Sequence, residues 1–213
     1  MKIISIRELP IPAVKIVRFA RFADGRGYFT EPYRHGDLAG PAGLADFAAA
    51  GVVQANESRS RPGVIRGLHF QWNPFMGKLV RTLDGRMLDL ILDIRKDSPS
   101  LGKIIAVDMP AREEGNWDEW LWIPPGFAHG NLFLADTRIE YLCTGEYSPG
   151  CEAGISPFAE DLDWSLADPE ARECFREYVG GKAIISEKDA KGLSLGQWLA
   201  DPRSKEFSGL WRG

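Results

Sequence analysis

The run Gln54–Gln71, QANESRSRPGVIRGLHFQ, gathers a Gln at each end, an Asn, three Arg and one of the chain's three His. Gly63 and Gly67 within it let the backbone bend or approach a ligand closely. Side chains of such mixed polarity do not suit core packing. The residues able to join His69 in chemistry are Lys78, His129, Tyr141 and Asp189. A neutral His is a competent base near pH 7. A carboxylate behind it would hold its tautomer and stabilise the imidazolium. The set suits removal of a proton beside a carbonyl group. Such a carbon acid is weaker than imidazolium by roughly a dozen pKa units, so unassisted transfer costs well over about 10 kcal/mol. A cation at the carbonyl oxygen must then stabilise the enolate, a role open to Lys78. Tyr141 could return a proton from the opposite face, which would invert the carbon. Arginines suit a diphosphate. From the residues alone this is one of several assignments, because linear order does not show that the groups converge.

Convergence has to come from strands. Lys15 to Phe22 alternates, Asp24-Gly25-Arg26-Gly27 is a turn signal, and Tyr28 to Glu31 is extended again. Arg26, Phe29 and Glu31 crowd around that turn, a pattern an ordinary exposed hairpin also produces. Residues 36–51 read as a loop with a short helix at Leu44 to Ala50. A strand follows from Val52, with Gln54, Asn56 and Ser58 on one face. In the next strand, Ile65 to Phe70, Arg66 and His69 lie an odd number apart, so a regular strand separates them. A bulge at Gly67 would bring both to one side. Lys78 to Leu83 and Met87 to Ile94 are strands expected to form a hairpin about Asp84-Gly85. Lys78 shares a face with Val80 and Thr82. Lys103 to Met109 and Trp120 to Ile123 extend the pattern, and Pro124-Pro125-Gly126 is a stiff corner expected to fix His129. Asn131 to Leu134 and Arg138 to Thr144 read as a hairpin about Asp136, with Ile139, Tyr141 and Cys143 on one face. Asp168 and Pro169 open a helix to Val179, closed by Gly180-Gly181. Ile184 to Asp189 reads as extended, and Leu193 to Leu199 as a short amphipathic turn or helix. Short strands with regular turns and a helical tail predict a mainly β barrel or jelly roll.

The 213 residues are most simply one domain, 1–213. A net charge of -4 argues against a general nucleic-acid or membrane-surface role. Three cysteines, odd in number and without metal spacing, point to a reduced, cytoplasmic setting. The N-terminal stretch, broken by Arg7, Glu8 and two prolines, has no signal-peptide core, and no window reaches membrane-spanning length. Walker, GxGxxG and GxSxG signatures are absent. His69 is followed by Phe70 and Gln71 rather than a second His, so neither a metal nor another cofactor is expected.

The blocks DGRGYFTE, QANESRSRPGVIRGLHFQ, GKLVRTLDGRMLDLILDIRKDSPSLGK, IPPGFAHGN, EYLCT and ISEKD, in this order, resemble the dTDP-4-dehydrorhamnose 3,5-epimerase family. The resemblance implies a cupin-like antiparallel jelly roll with a few short C-terminal helices, a homodimer, and no required metal. It implies a nucleotide-linked 4-keto-6-deoxyhexose substrate inverted at C3 and C5 in deoxysugar biosynthesis. By resemblance His69 is the base, Asp189 its dyad partner, Lys78 the enolate stabiliser and Tyr141 the opposing acid. His129 and Arg66 match positions near sugar and diphosphate. Arg26, Phe29, Glu31, Gln54 and Asn56 match nucleotide-binding positions, the N-terminal set being delivered by the neighbouring subunit. The pattern departs at Glu57, where the family commonly has His, at Glu146 in place of one of two tyrosines, at Pro157 in place of an aromatic, and at Ser165 in place of a proline. Epimerisation at C3 alone, ketoisomerisation on the same cavity, and a barrel that binds nucleotide sugars without turnover stay open at this level.

Overall fold

The computed structural model describes residues 1–40, 44, 47, 51–112, 115–181 and 183–211. Its strands are β1 (Ile3–Glu8), β2 (Lys15–Asp24), β3 (Gly27–Thr30), β4 (Gln54–Ser60), β5 (Val64–Gln71), β6 (Lys78–Asp84), β7 (Arg86–Asp93), β8 (Ile104–Pro110), β9 (Trp117–Ile123), β10 (Phe127–Phe133), β11 (Thr137–Cys143), β12 (Glu152–Gly154) and β13 (Ile184–Ile185). Helices are α1 (His35–Ala39), α2 (Pro169–Val179), α3 (Glu187–Ala190) and α4 (Leu195–Ala200), with 3-10 turns at Trp164–Leu166 and Pro202–Phe207. One sheet runs β1-β2-β9-β6-β11-β4, with β3 added beside β2. The other runs β12-β5-β10-β7-β8, with β13 beside β5. All the ladders are antiparallel except β13 with β5. This is the expected mainly β jelly roll.

From β4 to β7 successive strands alternate between the sheets, and so do β8 through β12. Two expected hairpins are therefore corrected. Asp84-Gly85 joins β6 in one sheet to β7 in the other, and the turn about Asp136 joins β10 to β11 across the same gap. The two corners touch. Gly85 has φ +81, and a Cβ there would sit 2.2 Å from the Asp136 carbonyl oxygen. A corner packed this tightly against another excludes a side chain.

Period-two alternation divides each strand between two packing layers. Val80, Leu121 and Ile139 from one sheet meet Met87, Ile91, Ile105, Phe127 and Phe133 from the other inside the sandwich. Leu88, Leu90, Leu92, Ala128 and Leu132 face outward, under Phe175, Leu195, Trp198 and Phe207 of the C-terminal segment. Val17, Phe19, Leu79, Trp120, Trp122 and Leu142 cover the first sheet's outer face, under Leu38, Leu44 and Phe47. The helix expected at 44–50 lies outside the described residues apart from Leu44 and Phe47, both fully buried. β7 is buried on both faces, which is why its sequence is a nearly unbroken apolar run. The helix at 169–179 forms as expected, its Asp168 carboxylate accepting from the N–H groups of Glu170 and Ala171.

Candidate active site

The inward positions of β4, β5, β6 and β11 leave a pocket of about 400 Å³ at one end of the sandwich. Gln54, Asn56, His69, Gln71, Lys78, Tyr141, Tyr147 and Glu152 line it. Gln54 and Asn56 come from β4, and Tyr141 lies opposite Asn56 in the neighbouring β11. Lys78 opens β6, opposite Cys143.

His69 reaches the pocket because β5 bulges. His69 pairs with His129 and Arg66 with Asn131, so Gly67 and Leu68 together oppose Gly130. Before the bulge Ile65 faces outward and Val64 packs inward; after it Leu68 and Phe70 face outward while His69 and Gln71 reach the pocket. The odd spacing of Arg66 and His69 is absorbed by that extra residue. Gly67 has φ +102, and a Cβ on it would lie 2.5 Å from the His129 carbonyl oxygen, so only glycine fits. Arg66 lies outside the pocket lining; its Nε donates to Ser60 Oγ at 3.0 Å and its charge acts on Tyr141.

Asp189 approaches from the C-terminal segment. It stands on α3, a single turn capped by Ser186, not on the extended run the sequence suggested. The β-like residues stop at Ile185, and the Ser186 side chain accepts from the Asp189 N–H, which starts a helix. Asp189 Oδ1 lies 2.7 Å from His69 Nε2, and its Oδ2 accepts from the Gly67 N–H at 3.3 Å. One carboxylate thus holds both the imidazole and the bulge beside it. With Nε2–H donating to the carboxylate, Nδ1 keeps its lone pair and serves as the basic nitrogen.

His129 is a β10 strand residue, inside the ladder with His69 and Ile91, rather than a residue of the proline corner. Its Nε2 lies 2.7 Å from Asp89 Oδ1. Burial pushes its pKa down against the opposing pull of Asp89, which favours the neutral ring. Asp89 was not singled out from sequence. Its signal was present: in MLDLILD, period two puts Asp89 on the inward face with Met87 and Ile91. A carboxylate at 0% exposure in such a run needs a partner. Gln71 on β5, Glu152 on β12 and Tyr147 between strands were also missed, because only the assembled sheets bring them together at the pocket.

Burial pushes the Lys78 ammonium down, opposed by Cys143, Asp89 and Glu152. Burial pushes the Tyr141 hydroxyl up, so it stays protonated at neutral pH and can act as an acid. Burial alone would raise Glu152, but hydrogen bonds from Lys188 and Tyr147 hold it below the usual carboxylate range. An imidazole, a phenol and a lysine amine therefore share one cavity.

Five expected binding residues are outside its lining: Arg66 and His129, and on the N-terminal segment Arg26, Phe29 and Glu31. The Arg26 side chain is 90% exposed and paired with Asp24. Phe29 is 63% exposed on β3. Glu31 pairs with the N-terminal amine at 3.2 Å and with Arg34. Among the described residues no group of three or more His, Cys, Asp or Glu is arranged to hold a metal ion, and no helix is long and apolar enough to cross a membrane.

Residues 8–197 match the family model described as dTDP-4-dehydrorhamnose 3,5-epimerase. The chain is 41% identical over 192 residues to the dTDP-4-dehydrorhamnose 3,5-epimerase of Sinorhizobium fredii, covering 89% of this chain and 88% of that one. It is 39% identical over 194 residues to the enzyme of that name from Salmonella typhimurium, covering 89% and 94%. A crystal structure of dTDP-6-deoxy-D-glucose-3,5-epimerase from Legionella pneumophila in complex with dTDP-4-keto-L-rhamnose superposes with TM-score 0.77 at 30% identity, covering 98% of this chain and 99% of that one. In sequence over nearly its whole length and in the arrangement of both sheets, the chain belongs to the dTDP-4-dehydrorhamnose 3,5-epimerase family of isomerases.

Proposed function

We propose that this chain inverts C3 and C5 of a dTDP-linked 4-keto-6-deoxyhexose, the step that sets rhamnose-type stereochemistry, through an enolate. The observation that carries the reading is the His69–Asp189 pair at 2.7 Å on the wall of a pocket also lined by Lys78 and Tyr141. His69 removes the proton from the carbon beside the ketone, and the electron pair moves onto the carbonyl oxygen. Asp189 stabilises the imidazolium so formed. Lys78 donates to the enolate oxygen. Tyr141 delivers a proton to the opposite face, and the ring carbon inverts. His129, buried outside the pocket lining and tied to Asp89, acts on Lys78 electrostatically. Arg66, whose charge acts on Tyr141, meets the diphosphate in this reading. The sugar nucleotide bound by the Legionella relative supports the substrate class.

Arg26, Phe29 and Glu31 serve the pocket of a second copy of the chain in this reading. Their support is exposure: Phe22, Tyr28 and Phe29 crowd one projecting hairpin as exposed aromatics, outside their own pocket lining.

The test is incubation with dTDP-4-keto-6-deoxyglucose in deuterium oxide, followed by NMR of the sugar. Wild-type protein should place deuterium at C3 and C5, and His69→Ala should place none. Exchange retained in His69→Ala removes the base assignment, and deuterium at C3 alone reduces the reading to a mono-epimerase. For the second copy, Arg26→Ala and His69→Ala proteins, each impaired alone, should regain activity on mixing and subunit exchange. Mixtures no better than their components would refute the shared site.

A further inference from the structure

We infer that Gln71 is a positioning residue for substrate binding: with Gln54 it straps residues 146–148 across the open end of the sandwich and so builds the rim of the pocket. Gln71 closes β5 in the second sheet and is buried. Its Nε2 donates to the carbonyl oxygens of Pro74 at 2.8 Å and Glu146 at 2.9 Å. Its Oε1 accepts from the Ser148 N–H at 2.9 Å. Gln54 opens β4 in the first sheet, and its Oε1 accepts from the Tyr147 N–H at 2.8 Å. The remaining end of the Gln54 amide donates to Asn56 Oδ1 at 3.0 Å.

Three successive residues are thus tied by side-chain amides from opposite sheets. They belong to no strand, so their main-chain polar groups depend on such partners. The strap sets the side chain it carries. Tyr147 lies on the pocket wall, and its hydroxyl donates to Glu152 Oε1 at 3.0 Å. The same oxygen accepts from Lys188 Nζ at 2.9 Å, and Lys188 precedes Asp189 on α3. Strap, rim and dyad therefore form one connected frame. Gln71 spends its amide on main chain and needs no contact with reacting atoms.

Without the amide, the Ser148 N–H and two carbonyl oxygens turn to water at the pocket mouth, and 146–148 must be ordered anew by each substrate molecule. That cost falls on binding, not on proton transfer. The inference rests on the reading of this pocket as the nucleotide-sugar site.

The experiment is initial-rate kinetics of Gln71→Met, which keeps the volume and removes the hydrogen bonds. KM should rise at least about tenfold, equivalent to ~1.4 kcal/mol, with kcat within about threefold of wild type. Gln71→Glu keeps the acceptor but sets a carboxylate against two carbonyl oxygens, so its KM should rise at least as far. A fall in kcat at unchanged KM, or no change in either constant, overturns the inference. Amide hydrogen exchange of the free wild-type protein tests the strap without any substrate and without a variant that has to fold. The Tyr147 and Ser148 amides should exchange at least about a hundredfold more slowly than in unstructured chain. Exchange of both at the unstructured rate overturns the strap whatever the pocket binds, whereas failure of turnover with protected amides indicts only the functional reading.

Discussion

Replacing Asp189 by Asn removes a charge while keeping shape. In the protein, Asp189 Oδ1 meets His69 Nε2 at 2.7 Å, with 37% of the His69 side chain exposed and 8% of the Asp189 side chain. When His69 takes a proton, opposite charges face each other across that bond. At an effective dielectric of about 20 and charge centres about 4 Å apart, the attraction is about 4 kcal/mol. Solvent at the half-open imidazole and the residual amide hydrogen bond remove roughly half of it, leaving about 2 kcal/mol. Asp189→Asn should therefore lower kcat by about 30-fold, at 1.36 kcal/mol per tenfold. KM should stay near the wild-type value, because the charge appears only as the proton moves. The single amide oxygen of the variant serves His69 Nε2–H, so the longer 3.3 Å contact from the Gly67 N–H loses its acceptor, and the bulge is then held by the β5–β10 ladder. The assay is the initial rate of solvent deuterium entry into the sugar, read for Asp189→Asn, His69→Ala and the double variant. Because both residues act in one step, the double variant should be no slower than His69→Ala alone. Two results would refute the reasoning: a kcat within threefold of wild type, or a further 30-fold loss when Asp189→Asn is added to His69→Ala.

Gly67→Ala should destabilise the fold by about 3 kcal/mol, since its Cβ meets the His129 carbonyl oxygen at 2.5 Å in a left-handed backbone. Gly209→Ala, left-handed at φ +74 but with nothing within 4 Å, should cost only about 1 kcal/mol, and equal urea midpoints for the two would contradict the packing argument. His129 is held below its ordinary value of 6.5 by burial, so it contributes stability that is fully present above about pH 6.5 and declines as pH falls toward the folded value. Urea midpoints of wild type should drop from pH 7 to pH 5 more steeply than those of His129→Gln, and parallel slopes would count against a buried neutral imidazole.

Much of the architecture could be read directly because alternation is a local property. The strand periods of Lys78 with Val80 and Thr82, and of Ile139 with Tyr141 and Cys143, put the correct faces inward. The helix at 169–179 was legible in its cap, since Asp168 and Pro169 act on the first turn alone. The bulge at Gly67 was legible as a need, from the odd spacing of two functional residues. The same turn chemistry misled at Asp84-Gly85 and Asp136. A tight turn dictates that the chain reverses, but not whether the next strand pairs with the last or crosses to the facing sheet. That choice depends on which apolar faces find cover, and only the assembled sandwich decides it.

The chemical kind of three pocket groups was determined by sequence: an imidazole, a lysine amine and a phenol. His69, Lys78 and Tyr141 line one pocket from their strands, and the family resemblance is what assigned them roles. Their partners were decided by tertiary structure. Asp189 comes to His69 from 120 positions away on a turn that reads as strand. Asp89 hides in an apolar run until His129 is set beside it across the β7–β10 ladder. Gln71 and Gln54 lie far from 146–148 in sequence and meet it only where both sheets end. Periodicity fixes the direction of a side chain relative to its own strand. Distance between strands follows from sheet order and corners, and these depend on burying every face at once.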